Sequence, residues 1–203
     1  MVISKLDKYT VAIIGGGVAG LSCALTLASS KDKGDWTKDK RYVVIDSGSS
    51  DLLKAKLFNA PGVALGVSGQ NVLEQIRQQI NHYGCVDFLS GEVSEVVGTK
   101  GGFSIKLKDD SNVKAEIIVI ATGYKSFELD IGGLKAVPHK HTSKPRRMMI
   151  ETDSNSMAAD GIYIAGTLSG VSSMFATAAG SGVQTACNIL STFSGKPTIV
   201  HDK

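Results

Sequence analysis

The sequence predicts an α/β fold with a central parallel sheet and a single nucleotide-binding domain over residues 1–203, and three observations support this. An apolar strand ends in a glycine-rich turn that leads into a helix of small residues. A second apolar strand follows and ends in an acid, and a continuously apolar run lies near the middle of the chain. Strands that alternate with helices in this way usually form parallel sheets.

The glycine-rich turn belongs to the segment T-V-A-I-I-G-G-G-V-A-G-L at residues 10–21. Gly15 permits the tight bend, Gly17 allows backbone to approach a pyrophosphate, and Gly20 lets the following helix pack closely. The N-terminus of that helix offers N–H groups and a partial positive charge. We therefore predict a dinucleotide-binding turn, and the alternative is a glycine-rich turn without a ligand.

The second strand, residues 41–46, ends at Asp46, whose carboxylate is suited to hold ribose hydroxyls. Its separation from the glycines exceeds the roughly 20 residues that are typical of the fingerprint. A polar insert at residues 29–40 accounts for the excess. Because Asp46 fits the ribose of NAD as well as that of FAD, both cofactors remain open at this point.

An amphipathic helix is predicted after Ser68, a suitable N-cap, and it ends near Gly84. The short strand-like runs that follow are separated by turn signals and predict a β-meander on one face of the sheet. The last run is continuously apolar, as in a strand that is buried on both faces. These runs are residues 85–89, 92–98, 103–107 and 113–121.

Residues 124–147 show little periodicity and predict an exposed connection that carries a basic cluster. We interpret the cluster as solvated; docking of an acidic electron donor, or of the phosphate of a nicotinamide cofactor, is the alternative. After it we predict a strand pair at 148–151 and 161–166, a last helix over 175–193 and a frayed tail. The cluster consists of Lys135, His139, Lys140, His141, Lys144, Arg146 and Arg147.

Composition excludes several classes of function. The net charge of +3 is too small to indicate a nucleic-acid footprint. Cys23, Cys85 and Cys187 form neither a C-x-x-C pair nor a metal-type cluster, and we interpret Cys23 as a buried helix residue rather than a reactive thiol. The pattern His139-x-His141 lacks Cys or carboxylate partners, so no metal site is expected.

The N-terminus carries charges where a signal peptide needs an apolar core. No run approaches the ~18 apolar residues of a membrane span. Together with the reduced cysteines, these features predict a cytoplasmic protein with no membrane partner.

Six blocks occur in a recognisable order along the chain, at residues 15–20, 59–62, 67–69, 121–123, 161–166 and 178–182. In this order they resemble the FAD domain of thioredoxin-reductase-like flavoproteins, within the pyridine nucleotide-disulfide oxidoreductase group. The resemblance covers nearly the whole chain. It implies a Rossmann-like FAD-binding domain, FAD as the cofactor, and an assembly compatible with a homodimer.

The resemblance also implies where FAD would lie. The first turn would hold the pyrophosphate, Asp46 the adenosine ribose, and the backbone of Val93 the adenine; the turn at Gly166 would lie by the ribityl chain. The start of the last helix would approach the flavin pyrimidine ring. The implied cofactor-binding residues are Gly15, Gly17, Val18, Ala19, Gly20, Asp46, Ser47, Asn59, Val93, Ala121, Thr122, Gly123, Gly166, Thr167, Thr177 and Ala178.

Two departures from these relatives bear on function. They carry an NAD(P)H domain with a C-x-x-C pair where this chain has only residues 124–147, so we do not expect thioredoxin reduction. They also carry an aspartate where this chain has Thr167, whose hydroxyl can still hydrogen-bond the ribityl chain. Three aromatic residues flank segments expected near the flavin, where they would cover a ring face or pack in the core: Phe58, Tyr124 and Phe175.

The sequence therefore predicts an FAD-dependent oxidoreductase that needs no catalytic side chain, because the flavin itself accepts and passes on hydride or electrons. The donor would be free NAD(P)H or a partner protein. The alternative is a non-enzymatic flavin-binding sensor or regulatory subunit.

Overall fold

A computed structural model describes residues 8–125, 129–131 and 133–201. Some of the sequence interpretations concern residues outside these ranges. Residues 1–7 of the N-terminus, residues 126–128 and Gly132 of the connection, and the last two residues of the tail lie outside the described part of the chain.

The helices are α1 (Val18–Ser29), α2 (Gly69–Asn81) and α3 (Phe175–Ser194), and short 3-10 turns occur at Asp35–Thr37, Asp51–Lys54 and Gly166–Ser169. Among the residues described, no helix has both the length and the apolar character that a bilayer crossing requires. The strands are β1 (Lys8–Ile14), β2 (Tyr42–Asp46), β3 (Lys56–Leu57), β4 (Val67–Ser68), β5 (Val86–Ser90), β6 (Val93–Val97), β7 (Phe103–Leu107), β8 (Asn112–Ile120), β9 (Asp130–Ile131), β10 (Ala136–Pro138), β11 (Met148–Ile150), β12 (Met157–Ala159) and β13 (Ile162–Ile164).

Five parallel strands form the centre of the sheet in the order β5, β2, β1, β8, β13. Ile13 of β1 is opposite Val44 of β2 on one side and Val119 of β8 on the other. All carboxyl ends of these strands therefore meet at one edge, which is where open α/β sheets bind ligands.

Strand β8 explains how the meander joins the parallel sheet. Its first half pairs antiparallel with β7, from Asn112 to Ala115, and its second half pairs parallel with β13, from Ile118 to Ile120. The first half alternates exposed and buried residues, whereas the last four residues are all buried. The burial pattern of β8 thus matches its two pairings: the first half belongs to the meander, and the second half lies in the middle of the parallel sheet.

The two faces of the sheet are covered differently. Along β1, Val11 and Ile13 pack towards the three helices, whereas Ala12 and Ile14 pack with residues of the meander. The prediction of a central parallel sheet with a meander on one face is confirmed.

Two strands pair differently from the sequence interpretation. The run at 85–89 becomes β5, which pairs parallel with β2 and is not part of the meander of β6, β7 and β8. It does so because α2 carries the chain back along the sheet, and such a crossover returns a strand parallel to the first. The run at 148–151 becomes β11, which pairs with β10 in a separate ribbon, while β13 pairs with β12 and β8.

The connection and the tail are more ordered than the sequence suggested. His139, within the segment predicted to be exposed, is only 5% exposed because its ring contacts the turn after β13. The tail folds back along α3, where the Thr198 amide donates to the Ser191 hydroxyl at 2.9 Å and Val200 packs on the core. The prediction of a frayed tail is therefore wrong up to Val200.

Helices α1 and α3 approach each other closely at Gly182. A Cβ atom at this position would lie 2.0 Å from the carbonyl oxygen of Ala19. Backbone of α1 therefore occupies the space that any side chain at Gly182 would need. Among the small residues of α3, Gly182 makes this close approach possible.

We expect Gly182→Ala to destabilise the protein by about 1–3 kcal/mol, because the extra methyl group forces the two helices apart. The matched control is Gly180→Ala in the same helix, where a Cβ atom meets nothing within 4 Å among the described residues. This control should be stabilising by about 0.5–1 kcal/mol, the difference in helix propensity. Urea denaturation of both variants measures the effect, and equal stabilities would contradict the close approach.

Candidate functional site

The glycine-rich turn lies between the ends of β2 and β8. Gly15 has a φ of +114°, and a Cβ atom there would lie 2.5 Å from the carbonyl oxygen of Ala121. The Gly15 amide donates to the Ile45 carbonyl at 2.8 Å, and the Ala121 amide donates to the Ile14 carbonyl at 2.8 Å. The turn can take this position only with glycine, as the sequence predicted.

Helix α1 begins directly after the turn with its first amides facing the same edge of the sheet. Its N-cap is Gly17, and no side chain in the described ranges caps it. The first intrahelical bond runs from the Leu21 amide to the Gly17 carbonyl at 2.9 Å, so the amides of Val18, Ala19 and Gly20 precede it. These amides and the helix dipole form a cradle for an anion.

The cradle has a hydroxyl at its rim. A Cβ atom at Gly17 would lie 3.2 Å from Oγ of Ser50, which precedes the 3-10 turn Asp51–Lys54. Glycine at this position keeps the space between α1 and Ser50 open. Ser50 was not predicted from the sequence, because one serine in a serine-rich loop has no pattern that distinguishes it.

Asp46 lies on one side of the turn, and two groups hydrogen-bond its carboxylate. Its Oδ2 accepts from Nη2 of Arg77 at 2.5 Å, and its Oδ1 accepts from the Gly48 amide at 3.1 Å. A Cβ atom at Gly16 would lie 2.3 Å from Oδ2, so the carboxylate packs against the turn itself. Arg77 also lies over the ring of Phe88, with 5.0 Å between Cζ and the ring centroid.

The Asp46–Arg77 pair is mostly removed from solvent, with side-chain exposures of 18% and 28%. The sequence interpretation found Asp46 but not Arg77. The available signal was that Arg77 is the single basic residue of α2, the helix that connects β2 to β5. The pairing itself depends on how that helix crosses the sheet.

On the other side of the turn, the ends of β8 and β13 come together. The Ala165 amide donates to the Ile120 carbonyl at 2.9 Å. A Cβ atom at Gly166 would lie 2.7 Å from that of Ala19, and one at Gly123 would lie 4.0 Å from Oγ1 of Thr167. The predicted residues on these two strands and on α1 therefore form one continuous surface.

Helix α3 reaches this surface through Ser181, whose hydroxyl accepts from the Gly166 amide at 3.0 Å. Ala178, one turn earlier, is buried. Thr177 is exposed, and its hydroxyl donates to the carbonyls of Ser172 and Met174 at 2.6 and 3.1 Å. The start of α3 thus faces the same edge as the start of α1.

The remaining predicted residues lie at the periphery. Ser47 is exposed and shares a hydrogen bond with Ser49, and Asn59 is exposed on the segment between β3 and β4. Val93 begins β6 close to Asp46, because the Gly91 amide donates to the Asp46 carbonyl at 3.0 Å. Thr122 is exposed between Ala121 and Gly123.

A cluster that the sequence did not predict holds the connection to the site. The Nδ1 atom of His139 accepts from the His141 amide at 3.1 Å, so Nε2 carries the proton and donates to the Thr167 carbonyl at 3.0 Å. The Met148 amide donates to the carbonyl of Tyr124 at 2.9 Å, and the Arg147 guanidinium lies 5.0 Å from the Tyr124 ring centroid. Both ring nitrogens of His139 are therefore engaged in hydrogen bonds.

The other two aromatic residues differ in their surroundings. Phe58 is 66% exposed. Phe175 packs against the small cluster of Leu57, Ala60 and Val72. Of the two roles considered for Phe175, covering a flavin ring or packing in the core, its contacts match core packing.

The three cysteines lie in surroundings that favour the thiol. Burial raises the pKa of the Cys23 thiol far above its ordinary value, and burial also raises the pKa values of Cys85 and Cys187. Cys23 is fully buried in α1. Burial therefore outweighs the helix dipole at Cys23, and the interpretation as a buried helix residue agrees with the structure.

Comparison with known proteins identifies the class. The sequence profile of the pyridine nucleotide-disulphide oxidoreductase family matches residues 9–153. The chain belongs to this family. The resemblance inferred from the sequence is thus confirmed.

Two curated relatives are similar to parts of this chain. The chain is similar to a thioredoxin reductase of Borreliella burgdorferi, 24% identical over 165 residues, 76% of this chain and 48% of that protein. It is similar to a ferredoxin–NADP reductase of Leuconostoc mesenteroides, 26% identical over 129 residues, 60% of this chain and 36% of that protein. The chain thus spans less than half the length of these curated relatives.

Among solved structures, a thioredoxin reductase from Gloeobacter violaceus superposes with a TM-score of 0.76 at 16% identity, covering 98% of this chain and 100% of that chain. This likeness confirms the Rossmann-like α/β fold.

The Asp46–Arg77 pair leads to a prediction about stability. In a double-mutant cycle of Asp46→Ala and Arg77→Ala, we expect a coupling energy of about 1–2 kcal/mol in urea denaturation, because the pair is largely shielded from water. The control cycle uses Lys106 and Asp110, whose side chains are 50% and 85% exposed. That pair should couple by less than about 0.5 kcal/mol. Equal couplings would show that shielding does not strengthen the Asp46–Arg77 pair.

Proposed function

We propose that this chain binds FAD and acts as a thioredoxin-reductase-like flavin oxidoreductase. The observation that supports this most is the cradle at the start of α1, behind a turn in which Gly15 leaves no room for a side chain. Such a cradle suits a pyrophosphate, and ribose-binding and ribityl-binding groups would stand on its two sides.

In this proposal, each part of the surface has a role. Gly15, Gly17 and the first amides of α1 bind the pyrophosphate; Asp46 and Ser47 bind the adenosine ribose, with Asn59 at the rim. The Val93 backbone faces the adenine. The segment 121–123 lines the middle of the cofactor. The turn at Gly166 lies beside the ribityl chain, which the Thr167 hydroxyl hydrogen-bonds.

The flavin of FAD would supply the redox chemistry by accepting and passing on hydride or electrons. The protein would orient it and shape its electrostatics. Thr177 and Ala178 lie in the first turn of α3, so the positive end of that helix would stabilise negative charge at the flavin pyrimidine ring. No side chain has to exchange protons or electrons for this role.

The electron source in this proposal is free NAD(P)H or a partner protein. The sequence contains no C-x-x-C pair, and burial raises the pKa of each of its three thiols, so we propose that the chain does not pass electrons to a thioredoxin through its own dithiol. One similar protein is named as acting with ferredoxin, which supports a protein donor.

We predict that Gly17→Glu abolishes FAD binding, because it places a carboxylate against the pyrophosphate and Ser50. The flavin absorbance per protein after reconstitution with FAD, and the Kd from calorimetry, measure the effect. The matched control is Gly102→Glu on the loop between β6 and β7, where a Cβ atom meets nothing within 4 Å among the residues described. Full FAD occupancy of Gly17→Glu would overturn the proposed site.

We also predict that the flavin of the reconstituted protein is reduced anaerobically by an electron donor, as an oxidoreductase requires. Absorbance near the flavin maximum follows the reaction, first with NADH and NADPH and then with a protein donor. A flavin that binds but stays oxidised with all donors would favour the sensor or regulatory subunit instead. Retention of NAD with no affinity for FAD would contradict the flavin assignment.

A further inference from the structure

The positive charge of this chain is concentrated in one segment. Residues 131–150 contain five Lys and Arg and no Asp or Glu. The rest of the chain, with 17 Lys and Arg against 19 Asp and Glu, is net negative, although the whole chain is +3. The five cations, which we call the basic surface, are Lys135, Lys140, Lys144, Arg146 and Arg147.

Several cations elsewhere on the protein form ion pairs with carboxylates, whereas those of the basic surface form none with the carboxylates that the structure describes. Seven Lys and Arg residues in other segments form ion pairs with carboxylates, among them Lys8 with Glu116 and Lys100 with Asp160. Within residues 8–125, 129–131 and 133–201, no carboxylate pairs with any cation of the basic surface. Four of the five are exposed, and Arg147 is half-buried.

The basic surface is fixed in position by the ribbon of β10 and β11. Two hydrogen bonds tie the ribbon to the edge of the sheet: His139 donates to the Thr167 carbonyl, and the Met148 amide donates to the Tyr124 carbonyl. The side chain of Lys140 lies over Gly170, where a Cβ atom would be 3.1 Å from its Cε. The surface thus borders the turn Gly166–Ser169, next to the ribityl side of the proposed FAD site.

The spread of the cations distinguishes between possible anions. Ala136 pairs with Ile150 and Pro138 with Met148, so Lys135 lies at one end of the ribbon and the loop 139–147 at the other. Three residues of strand separate them by roughly 10 Å. Four of the five cations lie in this loop and Lys135 lies at the other end of the ribbon, so the positive charge extends beyond what one nucleotide phosphate would contact. An extended patch of cations matches an acidic protein surface.

We propose that the basic surface is the docking site for an acidic electron-carrier protein, which would replace the missing nicotinamide-binding domain as the source of electrons. This rests on the proposed function, because docking here would bring the carrier beside the flavin. Reduction of one bound FAD to FADH2 needs two electrons and two protons. Two carriers would each lose one electron to the flavin, and water would supply the two protons.

The test measures binding and flavin loading separately. We use a plant-type [2Fe–2S] ferredoxin with a strongly acidic surface as the probe and determine its Kd by calorimetry with apoprotein and with FAD-reconstituted protein. We expect binding to both forms and at least a tenfold weaker Kd between 50 and 300 mM NaCl, since salt screens charges of this kind.

The decisive variant is Lys140→Glu/Lys144→Glu/Arg146→Glu, in which we expect at least a tenfold loss of ferredoxin affinity with unchanged flavin loading. The control is Lys33→Glu/Lys38→Glu/Lys196→Glu, which changes the net charge equally. Its three lysines are exposed and follow the C-terminal ends of α1 and α3, at the opposite edge of the sheet. This control should bind within about twofold of the parent protein.

Equal losses in the two triple variants would mean that ferredoxin responds only to net charge and would overturn the docking site. An unchanged affinity in the first variant would overturn it as well. Loss of NADPH binding in that variant, with no ferredoxin binding by the parent, would reassign the surface to a nucleotide. A protein that binds ferredoxin but takes up no flavin would retain the docking site and refute the proposed function.

Discussion

The close approach of α1 to its neighbours is the constraint on which the rest of this structure depends. Carbonyl oxygens lie 2.0 Å from where a Cβ atom would stand at Gly20 and at Gly182, so backbone meets backbone at both contacts. Because no side chain intervenes, the first turn of α1 lies at the carboxyl edge of the sheet between Asp46 and Thr167. A bulkier helix would stand off the sheet, and its N-terminal amides would no longer meet the ends of β8 and β13.

Electrostatics on the two sides of that turn differ. On the β2 side, where the proposed site would place the adenosine, Asp46 is already stabilised by Arg77 and by the Gly48 amide, so its carboxylate is oriented without a ligand. On the opposite side there is no acidic side chain of this kind in the described residues: the hydroxyl of Thr167, the ring of His139 on the Thr167 carbonyl, and the start of α3 lie there. Charge enters there through the helix terminus and the neighbouring basic surface rather than through an acidic side chain.

Several parts of the site followed from the sequence, and others did not. The turn at Gly15, the N-cap at Ser68 and the burial of β8 were predictable, because each depends on a few consecutive residues. The hydrogen bond of His139 to Thr167 links positions 28 residues apart, and the ion pair of Asp46 with Arg77 links positions 31 apart. The prediction of a fully exposed connection was wrong at His139 because burial there comes from the turn after β13.

The sequence alone determined the α/β class, the glycine turn and the buried central strand, because backbone sterics and the periodicity of apolar residues are local properties. It also determined the excess of positive charge in residues 131–150. Tertiary structure alone decided that β5 joins β2, that Arg77 neutralises Asp46 and that the basic ribbon borders the proposed flavin site. These pairings depend on where each crossover returns the chain, and that is set by packing between segments that are distant in sequence.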